Sequence, residues 1–187
     1  MAKTDLMIDL ETLATSSDAS ILTIGAVKFD PFGSVADFTD NDKFYVKVDL
    51  DSCNELNLTV SDDTLNWWAT QSKEAQEEAF STEGRIHIED AFADLYKFAW
   101  GAQRVWSNGA GFDVVICETV FKRIHKKIPW DFWQVRDVRT MFDLGIDPMR
   151  PKITAHNALE DALAQAISIQ NVCRELQNRK VTPFTRF

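Results

Sequence analysis

Apolar and polar positions change their period about halfway along the chain. Near the N-terminus, Leu6-Met7-Ile8 is a short apolar run that ends in acids, the pattern of a central strand buried on both faces. Residues 21–29 are β-rich, and Asp30-Pro31-Phe32-Gly33 follows with Pro in the second position of a turn. Phe44, Val46 and Val48 alternate and complete an antiparallel ribbon, so the first half reads as strands. Beyond it, Ile88, Ala91, Phe92, Leu95, Phe98 and Ala99 recur at helical spacing. Residues 104–108 read as a strand. Phe112, Val115, Ile116, Val120 and Ile124 mark a second helix, and Leu159, Leu163, Ala166, Ile169, Cys173 and Leu176 a long last one. Strands first, then alternating helix and strand, predict an α/β fold with a mixed sheet flanked by helices.

Composition narrows the class. At 187 residues the chain suits one globular domain over 1–187, long enough to bury roughly 70% of its unfolded surface. No repeat, Ser/Gly linker or long like-charge block divides it, and 7 Gly with 5 Pro exclude a collagenous or low-complexity chain. No apolar run reaches the ~18 residues of a transmembrane helix, and the first five residues open no signal peptide. Cys53, Cys117 and Cys173 form no CxxC and cannot all pair, which argues against a disulfide scaffold or a thiolate zinc site. A reducing, cytoplasmic compartment is expected. With 29 acidic against 20 basic residues, the net charge of −9 excludes a protein that holds nucleic acid through bulk positive charge. It leaves room for one that binds locally and recruits divalent cations.

Three acidic features carry candidate chemistry. Asp9 and Glu11 stand two apart at the end of the first strand, so both point to one face with Cα atoms roughly 6.8 Å apart. Ligands of open α/β sheets collect beyond the carboxyl ends of strands, and two such carboxylates repel unless a cation lies between them. The plain alternative is an acidic loop. In His156-Asn157-Ala158-Leu159-Glu160-Asp161, Asn157 and Glu160 read as an N-cap with its capping-box partner. His156 then becomes N′ and Asp161 N4, the two positions whose side chains meet in a staple, here an imidazole and a carboxylate. The alternative is a surface His beside a routine cap. Asp113, in Asn108-Gly109-Ala110-Gly111-Phe112-Asp113, falls in the first turn of a helix, where the helix dipole alone favours an acid. The Gly-x-Gly before it lacks the third glycine of a dinucleotide fingerprint and the Gly-Lys of a P-loop.

Taken together, Asp9-x-Glu11, Asp113 and His156-x4-Asp161 resemble the DnaQ-like 3′–5′ exonucleases of the ribonuclease H-like superfamily, in the DEDDh subgroup. The match runs from Ile8 to Ala166 in the family's order. It looks closest to phage exonucleases of the exonuclease A kind and to exoribonuclease-like bacterial relatives. Met7-Ile8-Asp9-Leu10-Glu11-Thr12, Thr64-Leu65-Asn66-Trp67-Trp68 with Gln71-Ser72, and Arg136-Asp137-Val138-Arg139-Thr140 support it. The resemblance implies a mixed five-stranded sheet and two-metal hydrolysis with Mg²⁺ or Mn²⁺. Asp9 would bridge two ions, Glu11 and Asp161 would complete one, and Asp113 would hold the other through water. Carboxylates without thiolates suit such hard cations. His156 would act as general base.

The substrate implied is single-stranded or 3′-end nucleic acid, DNA ahead of RNA, with no membrane and with a homodimer as one arrangement. A non-catalytic nucleic-acid-binding module on the same fold is the alternative from another class. Thr12 corresponds to the position near the 3′-terminal sugar. Leu13-Ala14-Thr15 replaces the Thr-Gly-Leu that often follows, a departure from the family's pattern at the usual wedge for the 3′-terminal base, and Leu13 and Asn108 are further candidate substrate contacts. Trp67 and Trp68 are about 100° apart on a helix. Either one of them is a base-stacking platform or both belong to an aromatic core. Arg150 and Lys152, close before His156, are candidates for phosphate contact. His87 and His125 read as surface residues.

Overall fold

The computed structural model describes residues 3–151 and 156–179, so Lys152 lies outside the described residues. Its central strand is β1 (Asp5–Thr12), with β2 (Ile21–Phe29) antiparallel on one side and β5 (Arg104–Ser107) parallel on the other. β3 (Lys43–Val48) pairs antiparallel with β2, while β4 (Arg85–Ile86) and β6 (Val135–Asp137) add parallel edges. The order is β4-β3-β2-β1-β5-β6, a mixed sheet as expected. The turn between β2 and β3 forms at Asp30-Pro31-Phe32-Gly33, where the Gly33 amide donates to the Asp30 carbonyl at 2.9 Å.

Two expectations need correction. The sheet has six strands, not five. β4 is two residues long, too short for any periodicity, and tertiary contacts hold it. The Arg85 guanidinium donates to the carbonyls of Leu22, Val48 and Ala79. The first half is also not all strand. Residues 50–80 fold into α1 (Leu50–Glu55), α2 (Asp62–Ala69) and α3 (Lys73–Phe80). Each runs about two turns or fewer, so caps mark them better than apolar spacing does. Asp49 accepts from the Ser52 amide, and Ser72 from the Ala75 amide.

Long helices lie where the period changes. α4 (Ile88–Ala99) and α5 (Asp113–Arg123) cover one face of the sheet. There Leu6, Ile8 and Leu10 of β1 meet Phe92, Leu95, Val120 and Phe121. On the other face α7 (Ala158–Asn178) lays Ala162, Ala166 and Ile169 on Met7, Val27 and Trp106. Each large apolar side chain so removed from water contributes about 1.5–3 kcal/mol. Burial on both faces explains why β1 reads as a continuous apolar run. α6 (Val138–Phe142) follows β6.

Gly25 sets the height of α7. A Cβ there would lie 2.1 Å from the carbonyl carbon of Ala158, so only glycine lets the helix start rest on β2. Gly25 pairs with Asp9. The same close approach brings the first turn of α7 over the acids of β1.

Candidate active site

Three carboxylates converge at the carboxyl end of β1. Asp9, Glu11 and Asp161 each offer an oxygen within 4.8 Å of those of the other two. Two of them come from β1 by the period of two. The third comes from the first turn of α7, where Asn157 caps the helix by accepting from the amides of Leu159 and Glu160. Asp113 stands beside this trio as the first residue of α5. It is buried, and its Oδ1 accepts from the Leu10 amide at 3.1 Å, past the last pairing of β5 with β1.

Among the described residues Asp9, Glu11 and Asp161 form no ion pair with a lysine or arginine, whereas Asp113 feels the nearby Arg139 guanidinium, which draws its carboxyl down in part. Burial, then repulsion from Asp161 and Asp113, pushes the Glu11 carboxyl up to about 8. Burial and the neighbouring Asp113, Glu11 and Asp161 hold Asp9 well above the usual range. Asp113 is raised to about 6 by burial, opposed by the Leu10 amide. Asp161 is raised by burial and held back by the His156 amide. An all-carboxylate cluster whose charged form is disfavoured until a cation arrives fits Mg²⁺ or Mn²⁺ by its donor chemistry.

His156 occupies N′ and Asp161 N4, as the cap predicts, but the staple differs. The His156 backbone N–H, not the imidazole, donates to Asp161 Oδ2 at 3.0 Å. His156 takes a positive φ of 66°, uncommon for a residue with a side chain. Its ring instead packs edge-on to Trp67, centroids 4.9 Å apart, and lies 5.9 Å from Trp68.

Two cavities flank the acids. The larger, about 420 Å³, is lined by Glu11, Thr12, Ala14, Thr15, Trp67 and Phe112 among others. The smaller, about 230 Å³, is lined by Asn108, Phe142, Arg150, Asp161 and Gln165 among others. Thr12 donates its hydroxyl to the Ala14 carbonyl at 2.8 Å. Trp67 is exposed at 43%, whereas Trp68 is buried and donates its indole N–H to the Thr12 carbonyl at 2.9 Å. Trp68 is therefore a core residue and has no free face for a base. Leu13 likewise packs inward, against Leu22 and Trp68. Its amide donates to the Ser20 carbonyl at 2.9 Å and its carbonyl accepts from the Ser61 amide at 2.8 Å. His87 and His125 are exposed, His87 capping α4.

Three contributors were given no role of their own in the reading of the sequence. Gly25 seats α7, though a glycine inside an apolar strand is a signal of close approach. Gln165 donates Nε2 to Asp9 Oδ1 at 2.7 Å, and its place one turn after Asp161 could have pointed to it. Asp137 ties the Asp113-bearing turn to β6 by accepting from the Ala110 amide, and caps α6 with its other oxygen.

Comparison with known proteins agrees with this arrangement. A family model described as a 3′–5′ exoribonuclease Rv2179c-like domain matches residues 4–173. An exodeoxyribonuclease of Enterobacteria phage T4 is 25% identical over 205 aligned positions, covering 91% of this chain and 89% of that protein. Among solved structures, the cell-death related nuclease CRN-4 superposes with a TM-score of 0.55 at 14% identity; 95% of this chain spans 64% of its length. The nuclease domain of 3′hExo, a DEDDh family member bound to rAMP, gives 0.51 at 15% identity, covering 94% of this chain and 92% of that one. At these identities the structural likeness is one of fold.

Proposed function

The chain belongs to the family of 3′–5′ exoribonuclease Rv2179c-like domains, and on that premise we propose that it removes nucleoside 5′-monophosphates one at a time from the 3′ ends of DNA. It is a 3′–5′ exonuclease of the DnaQ-like, ribonuclease H-like kind, and the reading from its acids agrees with the family. The observation that carries the proposal is the convergence of Asp9, Glu11 and Asp161 between two cavities. A pure binding module gains nothing from buried, mutually repelling carboxylates.

In this reading Asp9, Glu11 and Asp161 hold one Mg²⁺ or Mn²⁺, and Asp113 helps to hold a second. Bound there, the ions stabilise charge on the attacking and leaving oxygens of the phosphodiester. His156 takes the proton from the attacking water at its imidazole nitrogen. Water oxygen bonds to phosphorus and the P–O3′ bond breaks, the leaving O3′ taking up a proton from solvent. The products are a nucleoside 5′-monophosphate and a shortened strand with a 3′-hydroxyl. Thr12 and Trp67, which line the larger cavity, face the terminal nucleoside, with Trp67 offering its exposed ring edge. Asn108 and Arg150, which line the smaller cavity, belong to the strand's side, and Lys152 remains a phosphate contact proposed from the sequence alone. The phage relative's name favours DNA, while the family model's description favours RNA as the second reading, and a cytoplasmic setting is part of this proposal. No helix among the described residues is long and apolar enough to cross a membrane. Residues 1–187 are read as one exonuclease domain, and sedimentation of the purified chain tests the homodimer.

Incubation with 5′-labelled DNA and RNA oligonucleotides, in Mg²⁺ or in chelator, is the direct test. A ladder shrinking by single nucleotides from the 3′ end, in Mg²⁺ alone, is expected, and the faster sugar identifies the substrate. Degradation of neither polymer overturns the proposal. His156→Ala is expected to keep the metal-induced rise in Tm yet lose about 10²–10⁴-fold in turnover, the range for a general base.

A further inference from the structure

Eight arginines lie among the described residues. The guanidinium groups of Arg85, Arg104, Arg123, Arg136, Arg174 and Arg179 all donate hydrogen bonds to carbonyl or side-chain oxygens. Those of Arg139 and Arg150 donate none among the described residues; Arg139 lies near enough to buried Asp113 to draw its carboxyl down, and Arg150 lines the smaller cavity, on the other side of the acids from the larger one. Arg150 lies over the ring of Phe142, 4.3 Å from its centroid, and both residues line the smaller cavity. Stacking on a ring face occupies the plane of a guanidinium and leaves its edge of N–H donors free. Arg139 sits three residues before Phe142 on α6, hence on the same side of the helix. Its guanidinium carbon lies 3.4 Å from where a Cβ of Gly109 would be, so this positive-φ glycine gives it room over the turn. Gly109 follows Asn108, which lines the cavity.

The cavity's position gives these two groups a meaning. The acid cluster contributes Glu11 to the larger cavity and Asp161 to the smaller, so it stands between them. Among the described residues no lysine or arginine lines the larger cavity, and it carries Asp63 besides Glu11. It suits the uncharged terminal nucleoside and repels further phosphate. An exonuclease acting at 3′ ends has only one phosphodiester at the scissile position, and every other phosphate lies on the opposite, 5′ side. In a chain of net charge −9, phosphates approaching the acids need local positive charge. Guanidinium edges that donate no hydrogen bond among the described residues supply it in the form best suited to phosphate oxygens.

We propose that Arg139 and Arg150 form a clamp for the phosphodiester immediately 5′ of the scissile one, with the penultimate nucleotide in the smaller cavity. The proposal rests on the reading that the acids hold the scissile phosphate. It fixes the direction of the bound strand, from the arginine side toward Trp67. It also sets the shortest good substrate. A dinucleoside monophosphate, TpT, offers no phosphate to the clamp, whereas pTpT and TpTpT both do.

The test measures kcat/KM in saturating Mn²⁺ for TpT, pTpT, TpTpT, and TpTpT with a neutral methylphosphonate at the upstream linkage. Wild type, Arg139→Gln and Arg150→Gln are compared, and a retained Mn²⁺-induced rise in Tm certifies each variant as folded. Wild type is expected to cleave pTpT and TpTpT at least tenfold better than TpT, and to lose a similar factor on the methylphosphonate. Each variant should show a loss on TpTpT that shrinks or vanishes on the methylphosphonate, because the two changes remove one contact. Equal wild-type rates on TpT and TpTpT, or strictly additive losses, overturn the clamp while leaving the exonuclease reading intact. A wild type that cleaves none of the four, nor a long oligonucleotide, overturns that underlying reading instead.

Discussion

Asp5, Asp9 and Glu11 project from one face of a single strand, yet the two ends of β1 treat them in opposite ways. Asp5 is fully buried and fully answered. Its oxygens accept from Arg104 Nε at 2.7 Å and Nη2 at 2.9 Å, and from the Trp106 indole N–H at 2.7 Å. Four residues on, Asp9 receives one bond from Gln165, and Glu11 has no cation beside it among the described residues. Their carboxyls are pushed up by burial and by one another. A buried acid with a cationic partner is part of the framework. Buried acids gathered without one are poised for a cation that comes from outside. The same residue type on the same face thus serves structure at one end and chemistry at the other.

The largest effects should come from exchanging these fates. Asp5→Ala leaves the Arg104 guanidinium without its acceptor. It should cost about 3 kcal/mol, the low end for a broken buried pair because Arg104 still reaches solvent. In a chain of this size that lowers Tm by roughly 6–12 °C. Asp9→Asn should do the reverse in chelator, raising Tm by a few degrees as repulsion is relieved, while abolishing turnover. Thermal unfolding of the two variants side by side decides the matter. An Asp9→Asn protein destabilised as much as Asp5→Ala would mean that the two ends do not differ.

How much of this was legible in the sequence follows from which interactions are local. The long helices and β1, β2, β3 and β5 declare themselves because each buries a face over enough residues to show its period. Asn157 announces the start of α7 because a cap is a contact two and three residues away. β4, at two residues, and α1 to α3 carry too few turns or alternations to read. In the site, Asp9 with Glu11 and His156 with Asp161 are local pairs and could be placed from spacing. The cap, however, does not say which group of His156 meets Asp161, because that depends on a positive φ and on Trp67 from a distant helix. For the same reason the choice between Trp67 and Trp68 waited for the fold. One turns to the Thr12 carbonyl in the core and the other to the cavity.

A second, more graded consequence concerns pH. Carboxyls raised in the folded state bind protons that the unfolded chain has already released. Between about pH 4, where unfolded carboxyls titrate, and pH 8, where Glu11 does so in the fold, the native state therefore holds more protons. Stability without metal should fall as pH rises through this window, by up to about 1.4 kcal/mol per pH unit for each group titrating, and level off above it. Mg²⁺ competes with those protons, so the metal-induced gain in Tm should grow from pH 5.5 to pH 8. Melting curves over this range, with chelator and with millimolar Mg²⁺, measure both slopes. A flat apo profile, with a metal effect equal at both pH values, would assign the acid end the same satisfied character as Asp5.

The smallest expected effect sharpens the acid end itself, by asking what Trp67 does there. Its ring edge meets the His156 imidazole at 4.9 Å, an aromatic contact worth about 0.5–1.5 kcal/mol beyond the area it covers. Trp67 is exposed, so Trp67→Ala should lower global stability by no more than about 1 kcal/mol, unlike Trp68→Ala, which empties a core site at about 3–5 kcal/mol. If the ring holds His156 in its working position, the loss falls on kcat, by roughly 2–10-fold, with KM little changed, and Trp67→Phe restores most of it. If the ring serves a stacked base, the loss appears in oligonucleotide affinity, at about 1–3 kcal/mol. Single-turnover rates and binding constants for the two variants separate these outcomes. A Trp67→Ala enzyme with both values at wild-type level would leave the exposed tryptophan without a part in the site.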